Sequence, residues 1–130
     1  MVKAVRGAIG VAENSEAAIH AAARRLVGEL LAANRIVEQR IISILFTLTK
    51  DLDGGNPATG LRALGFAGTP LLCVQEAEVQ GAAPRIIRVQ VTCHAPWRLP
   101  LRPVYLDGAE RLRPDLRSDR RLDPEDRQSP

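Results

Sequence analysis

Seven apolar residues, Ile19, Ala22, Ala23, Leu26, Val27, Leu30 and Leu31, recur at the i, i+3, i+4, i+7 spacing of one helix face. His20, Arg24, Arg25 and Glu29 fall on the opposite side. A helix with a single apolar stripe has to lay it against another element, and the runs on either side of this one are extended. Asn14 or Ser15 offers an oxygen to cap its start, and Asn34 marks its end. The stripe therefore predicts a helix covering one face of a sheet.

The strands follow from composition. Residues 3–11, KAVRGAIGV, form a first extended run, and 41–49, IISILFTLT, a largely buried strand rich in β-branched residues. After a loop over 50–55, Asn56 and Pro57 open a short helix, a capping residue followed by proline at the first helical position, running to Gly65. Strands over 71–78 and 85–93 flank the hairpin-like turn Gly81-Ala82-Ala83-Pro84, and Val104-Tyr105-Leu106 follows a Pro-containing loop. The order β-α-β-α-β-β-β is an α+β arrangement, a mixed β-sheet packed with helices. Residues 1–116 read as one domain; 117–130, charged and poor in apolar groups, read as a disordered tail.

Composition narrows the function. Aromatics are only 3% of 130 residues, so the single core must be aliphatic. No apolar run approaches the roughly 20 residues that span a bilayer. The N-terminus MVKAVRGAIGV lacks a signal-peptide pattern, so cytoplasmic residence is expected. Cys73 and Cys93 show no metal-ligand or disulfide spacing, and His20 and His94 are the only histidines, so no metal site is expected. Both cysteines read as apolar strand fillers, with Cys73 near enough to Glu76 to line the same cavity. The net charge of +3 is almost all arginine, with Lys3 and Lys50 the only lysines. The C-terminal stretch mixes six arginines with five acids, which gives no phosphate-binding field and makes nucleic-acid binding the weakest class. Arginine in place of lysine favours recognition of carboxylates by a planar fork.

Standard catalytic sets do not assemble. His20 is a solvated helix position, and His94, in a Pro-flanked loop, has no evident nucleophile. Trp97 reads as a packing anchor, and Gly54-Gly55 as plain loop. What stands out is polar residues in or beside apolar strands: Arg6, Arg62, Glu76, Arg88 and Tyr105. Strand alternation puts Arg88 with Ile86 and Gln90, opposite Ile87, Val89 and Val91. From spacing alone, Glu76 and Arg88 either pair across the turn, face solvent, or build a site.

Arg6-Gly7-Ala8, Cys73-Val74-Gln75-Glu76, Arg85-Ile86-Ile87-Arg88-Val89, Val104-Tyr105-Leu106 and Leu112-Arg113-Pro114-Asp115-Leu116 occur in that order. With TKDL at 49–52 and the NPA at 56–58, this set resembles the small monofunctional chorismate mutases of the AroH class over about residues 2–117. The resemblance implies a homotrimeric pseudo α/β-barrel with active sites between subunits. It implies a Claisen rearrangement of chorismate to prephenate, needing no nucleophile, metal or cofactor. By resemblance, Arg88 meets the ether oxygen and a carboxylate, Arg6 holds a carboxylate, and Glu76 accepts from the ring hydroxyl and orients Arg88. Tyr105 donates to a carboxylate, Cys73 lines the pocket near the hydroxyl, and Arg62 comes from the neighbouring subunit. Leu72, Asn56, Ala58 and Thr59 complete the implied substrate-binding set. Where the family often has an aromatic wall before the Pro-Ala of the second helix, this chain has Asn56, which also suits a helix cap; where it often has a basic residue two positions after that proline, it has Thr59. The rival expectation is a non-catalytic trimer that binds a small carboxylate on the same scaffold.

Overall fold

The computed structural model describes residues 1–114; the expected tail at 117–130 lies outside them. Strand β1 (Val2–Gly10) leads to helix α1 (Glu16–Asn34), a 3-10 turn (Glu38–Arg40) and β2 (Ile41–Leu48). Helix α2 (Pro57–Arg62), β3 (Leu71–Gln75), β4 (Ile86–His94), β5 (Val104–Leu106) and a 3-10 turn (Ala109–Leu112) follow. The five strands form one mixed sheet in the order β3-β2-β4-β1-β5. β4 is antiparallel to both neighbours, while β2–β3 and β1–β5 are parallel. The expected α+β class and element order are found.

Helix α1 starts where its capping chemistry predicts. Ser15 Oγ accepts from the Ala18 amide at 3.2 Å, a cap of the kind that contributes about 1 kcal/mol. Ile19, Ala23, Leu26, Val27 and Leu30 are buried on its inner stripe. They meet Val5, Ile9, Ile44, Phe46, Ile87, Val89 and Val91 of the sheet in one aliphatic core. Asn34 is buried too, because its amide donates to the Leu30 carbonyl and also grips a distant loop. Among the described residues, no helix is long and apolar enough to cross a membrane.

Four local readings change. The third strand ends at Gln75 rather than at residue 78, and α2 ends at Arg62, with a turn carrying the chain to Gly65. β3 and β4 do not form a hairpin, since β2 lies between them. Trp97 is no packing anchor in this chain: it is 65% exposed, with the Arg98 guanidinium 4.8 Å from its ring centre.

Candidate active site

Paired residues in a sheet point to the same side, so register alone sorts the polar residues. One row crosses all five strands as Val74, Thr47, Arg88, Ala8 and Tyr105. A second row holds Leu72, Leu45, Gln90 and Arg6. The intervening row, Cys73, Phe46, Val89, Gly7 and Val104, points the other way, into the core beneath α1. Thus Arg6, Arg88 and Tyr105 come from three strands to the sheet face that α1 leaves open.

That face carries a cavity of about 280 Å³. Its polar lining is Arg6, Thr47, Arg88, Gln90, Tyr105 and Arg113, with Gly7, Leu45 and Val89 completing the wall. Gly7 has a steric reason to be glycine: a Cβ there would sit 2.9 Å from the Val104 carbonyl oxygen and 3.1 Å from Leu26 Cδ1. The close approach of β5 to β1, which sets Tyr105 near Arg6, depends on it. Tyr105 also packs on a small apolar cluster of Ala8, Ile86 and Ala109. A larger cavity, about 460 Å³, lies between the end of α1 and the loop after β4, but it holds none of the predicted site residues.

Both arginines are held at the same atom. Arg88 Nε donates to Glu76 Oε1 at 2.8 Å, and Arg6 Nε donates to Gln90 Oε1 at 3.1 Å. Thr47 Oγ1 donates to the same Glu76 oxygen at 2.6 Å. Of the alternatives that spacing leaves open for Glu76 and Arg88, pairing is found, made around the end of β2 rather than across a hairpin. Among the described residues, the terminal nitrogens of Arg6 and Arg88 form no hydrogen bond, which leaves two planar forks for an anionic guest.

The strand carrying Arg88 is aligned by the TKD segment. Asp51 accepts from the Arg85 amide at 3.0 Å, and Thr49 Oγ1 accepts from the Ile86 amide at 3.0 Å. These contacts fix the head of β4 two residues before Arg88. Glu76 does not itself line the 280 Å³ cavity; it reaches that cavity's Arg88 and Thr47 by hydrogen bonds and walls a different cavity of about 450 Å³ with Lys50, Glu78 and Pro84.

The other predicted positions lie elsewhere on the chain. Cys73 faces the core, half-buried, and burial pushes its thiol pKa up, which keeps it protonated. Ala58 is buried in the same core. Asn56 caps α2, its Oδ1 accepting from the Ala58 amide at 2.9 Å. Asn56, Thr59 and Arg62 are exposed on or beside α2, and Leu72 is exposed on β3. None of these six lines the 280 Å³ cavity of its own chain. Thr47 and Leu45 were not foreseen, although period-2 reading of ISILFTLT puts them on one face. Strand alternation puts Gln90 on Arg88's face without giving it a role, and Arg113 enters the sequence reading only as part of a motif.

The chain is similar to known proteins over most of its length. The family described as "Chorismate mutase type I" matches residues 2–116. A Thermus thermophilus protein named chorismate mutase AroH is 42% identical over 124 residues, covering 91% of this chain and 98% of that one. A Bacillus subtilis protein of the same name is 32% identical over 118 residues, covering 89% and 93%. A solved chorismate mutase structure from Clostridium thermocellum superposes with a TM-score of 0.80 at 38% identity, covering 83% of this chain and 97% of that one. These relatives bear the name of an enzyme, which favours catalysis over a non-catalytic binding protein.

Proposed function

The chain belongs to the type I chorismate mutase family, and from that premise we propose that the arginine-lined cavity on the open sheet face is its active site. Its reaction is the rearrangement of chorismate to prephenate, an isomerisation in aromatic amino-acid biosynthesis. The supporting observation is that Arg6, Arg88 and Tyr105 line one cavity, with the outer nitrogens of both arginines turned to no protein partner among the described residues.

Chorismate carries two carboxylates, and its breaking C–O bond gathers negative charge on the ether oxygen. Arg88 meets that oxygen and a carboxylate through its free fork. Its charge is worth more as the oxygen becomes anionic, so it stabilises the transition state beyond the substrate. Arg6, steadied by Gln90, and Tyr105 hold a carboxylate. Glu76, with one oxygen spent on Arg88 and Thr47, has the other available for the ring hydroxyl. Fixing both ends of the substrate selects the folded conformer, which is the proximity part of the rate. The residues act by position and charge, with no covalent step.

In this reading the protein is a cytoplasmic homotrimer with a cavity at each subunit contact. The exposed Asn56, Thr59, Arg62 and Leu72 of one subunit close the cavity of the next, while Ala58 and Cys73 back them from the core. The test is chorismate consumption, followed by loss of absorbance, in buffer containing a chelator and no added cofactor. Wild type should turn over, and Arg88→Ala should lose nearly all activity. Full turnover by Arg88→Ala, or no turnover by the wild type at micromolar enzyme, overturns the assignment.

A further inference from the structure

We infer that Thr47 is a positioning residue of the active site, acting through Glu76; this rests on the site reading above. Glu76 has to do two things at once. It must hold Arg88 at Nε and keep its own carboxylate turned toward the substrate hydroxyl. A glutamate has three rotatable bonds before its carboxylate, so one hydrogen bond to a mobile guanidinium does not fix it.

Thr47 supplies the missing constraint. Its strand position is the direct cross-strand neighbour of both Arg88 and Val74, in the row that leads to Tyr105. Its hydroxyl donates to Glu76 Oε1 at 2.6 Å, the oxygen that also accepts from Arg88 Nε at 2.8 Å. Two donors from different strands on one oxygen set the plane of the carboxylate and leave Oε2 for the ligand. The Glu76 side chain is only 18% exposed, so water competes poorly for these bonds. The Thr47 methyl meanwhile rests in a β-branched strand position, where χ1 is stiff and the hydroxyl has one aim. Charge-assisted hydrogen bonds of this kind are the stronger sort.

The test compares Thr47→Val, which keeps the shape and removes the donor, with Thr47→Ser, which keeps the donor. Thr47→Val should lower kcat about tenfold to a hundredfold with KM changed less than about threefold, since only the aim of the charged pair is lost. Thr47→Ser should stay within about threefold of wild type. A purely structural role would not show that rescue. The second arm adds Thr47→Val to Glu76→Ala: with no carboxylate to aim, the second substitution should have no further effect on kcat. Thr47→Ala repeats both arms should the valine variant fold poorly, and melting curves check each protein. Full turnover by a folded Thr47→Val or Thr47→Ala variant, or an undiminished loss in the Glu76→Ala background, overturns the inference while Arg88→Ala stays inactive. Turnover by Arg88→Ala would instead remove the site reading on which it stands.

Discussion

A charged residue in a strand beside core residues stays stable only if it is paired or wetted, because an unpaired buried ion costs several kcal/mol. Arg88 has both supports, a 2.8 Å bond to Glu76 and a side chain 43% exposed. A pair that open contributes about 0–1 kcal/mol, so stability is a weak reason to keep it. Arg88→Lys should therefore leave the melt nearly unchanged, within about 1 kcal/mol, yet lower kcat about a hundredfold or more. Lysine keeps the charge but offers no fork with one nitrogen for Glu76 and two for the substrate. Paired kinetics and thermal melts decide this; equal kcat for the two proteins would show that the fork is not used. Gln90→Leu should act differently, raising KM about tenfold with a smaller change in kcat, because it frees Arg6 rather than Arg88, the group proposed to meet the ether oxygen. At this scale Glu76 and Arg88 were legible, since charge inside an apolar run is conspicuous. Thr47 was not, because threonine is an ordinary strand former and its neighbour is fixed only by register.

Elements bring these residues together through a few side-chain ties to backbone. The best placed is Asn34 at the end of α1, legible in the sequence only as a helix stop. Its amide donates to the Arg102 carbonyl at 2.9 Å and its oxygen accepts from the Arg102 amide at 2.6 Å. Arg102 lies two residues before β5, a three-residue edge strand parallel to β1 that carries Tyr105. Asn34→Leu breaks both bonds and strands polar backbone, so it should destabilise the fold by about 1–3 kcal/mol. It should also raise KM by loosening Tyr105, measured far from any contact between Asn34 and the cavity. A melt that drops with KM unchanged would mean β5 holds its place without this tie. The misplaced hairpin has a similarly concrete origin. A Gly/Pro turn between two apolar runs argues for adjacent antiparallel strands, and 81–84 supplies one. Yet β2-α2-β3 is a crossover through a helix, the connection that parallel neighbours require, and it claimed β3 for β2. Both signals are in the sequence; the crossover outweighs the local turn.

At the scale of the whole molecule, the sheet is finished on one side only. Helix α1 covers the face built on Phe46, Val89 and Val91, whereas the other presents Leu72 at 62% exposure and Val74 at 41% beside the arginine rows. Exposed apolar residues beside the proposed active cavity fit the subunit contact proposed above. They are also the reason the sequence could not place Leu72, Asn56, Thr59 or Arg62: their proposed partner is another copy of the chain, and no register within one chain reports it. The proposed homotrimer makes a separable prediction. Leu72→Glu puts a carboxylate into the contact, where burying it unpaired costs several kcal/mol. Leu72 lies outside the helix-covered core, so the fold of each chain should survive. Light scattering on a sizing column should therefore move from three chain masses of 14.1 kDa toward one, with circular dichroism little changed. Activity should fall with the trimer and partly return at high protein concentration, as mass action demands of a site shared between subunits. A variant that stays trimeric and active would place the contact on another face of the sheet, and a monomer with full activity would show that each chain carries a complete site of its own.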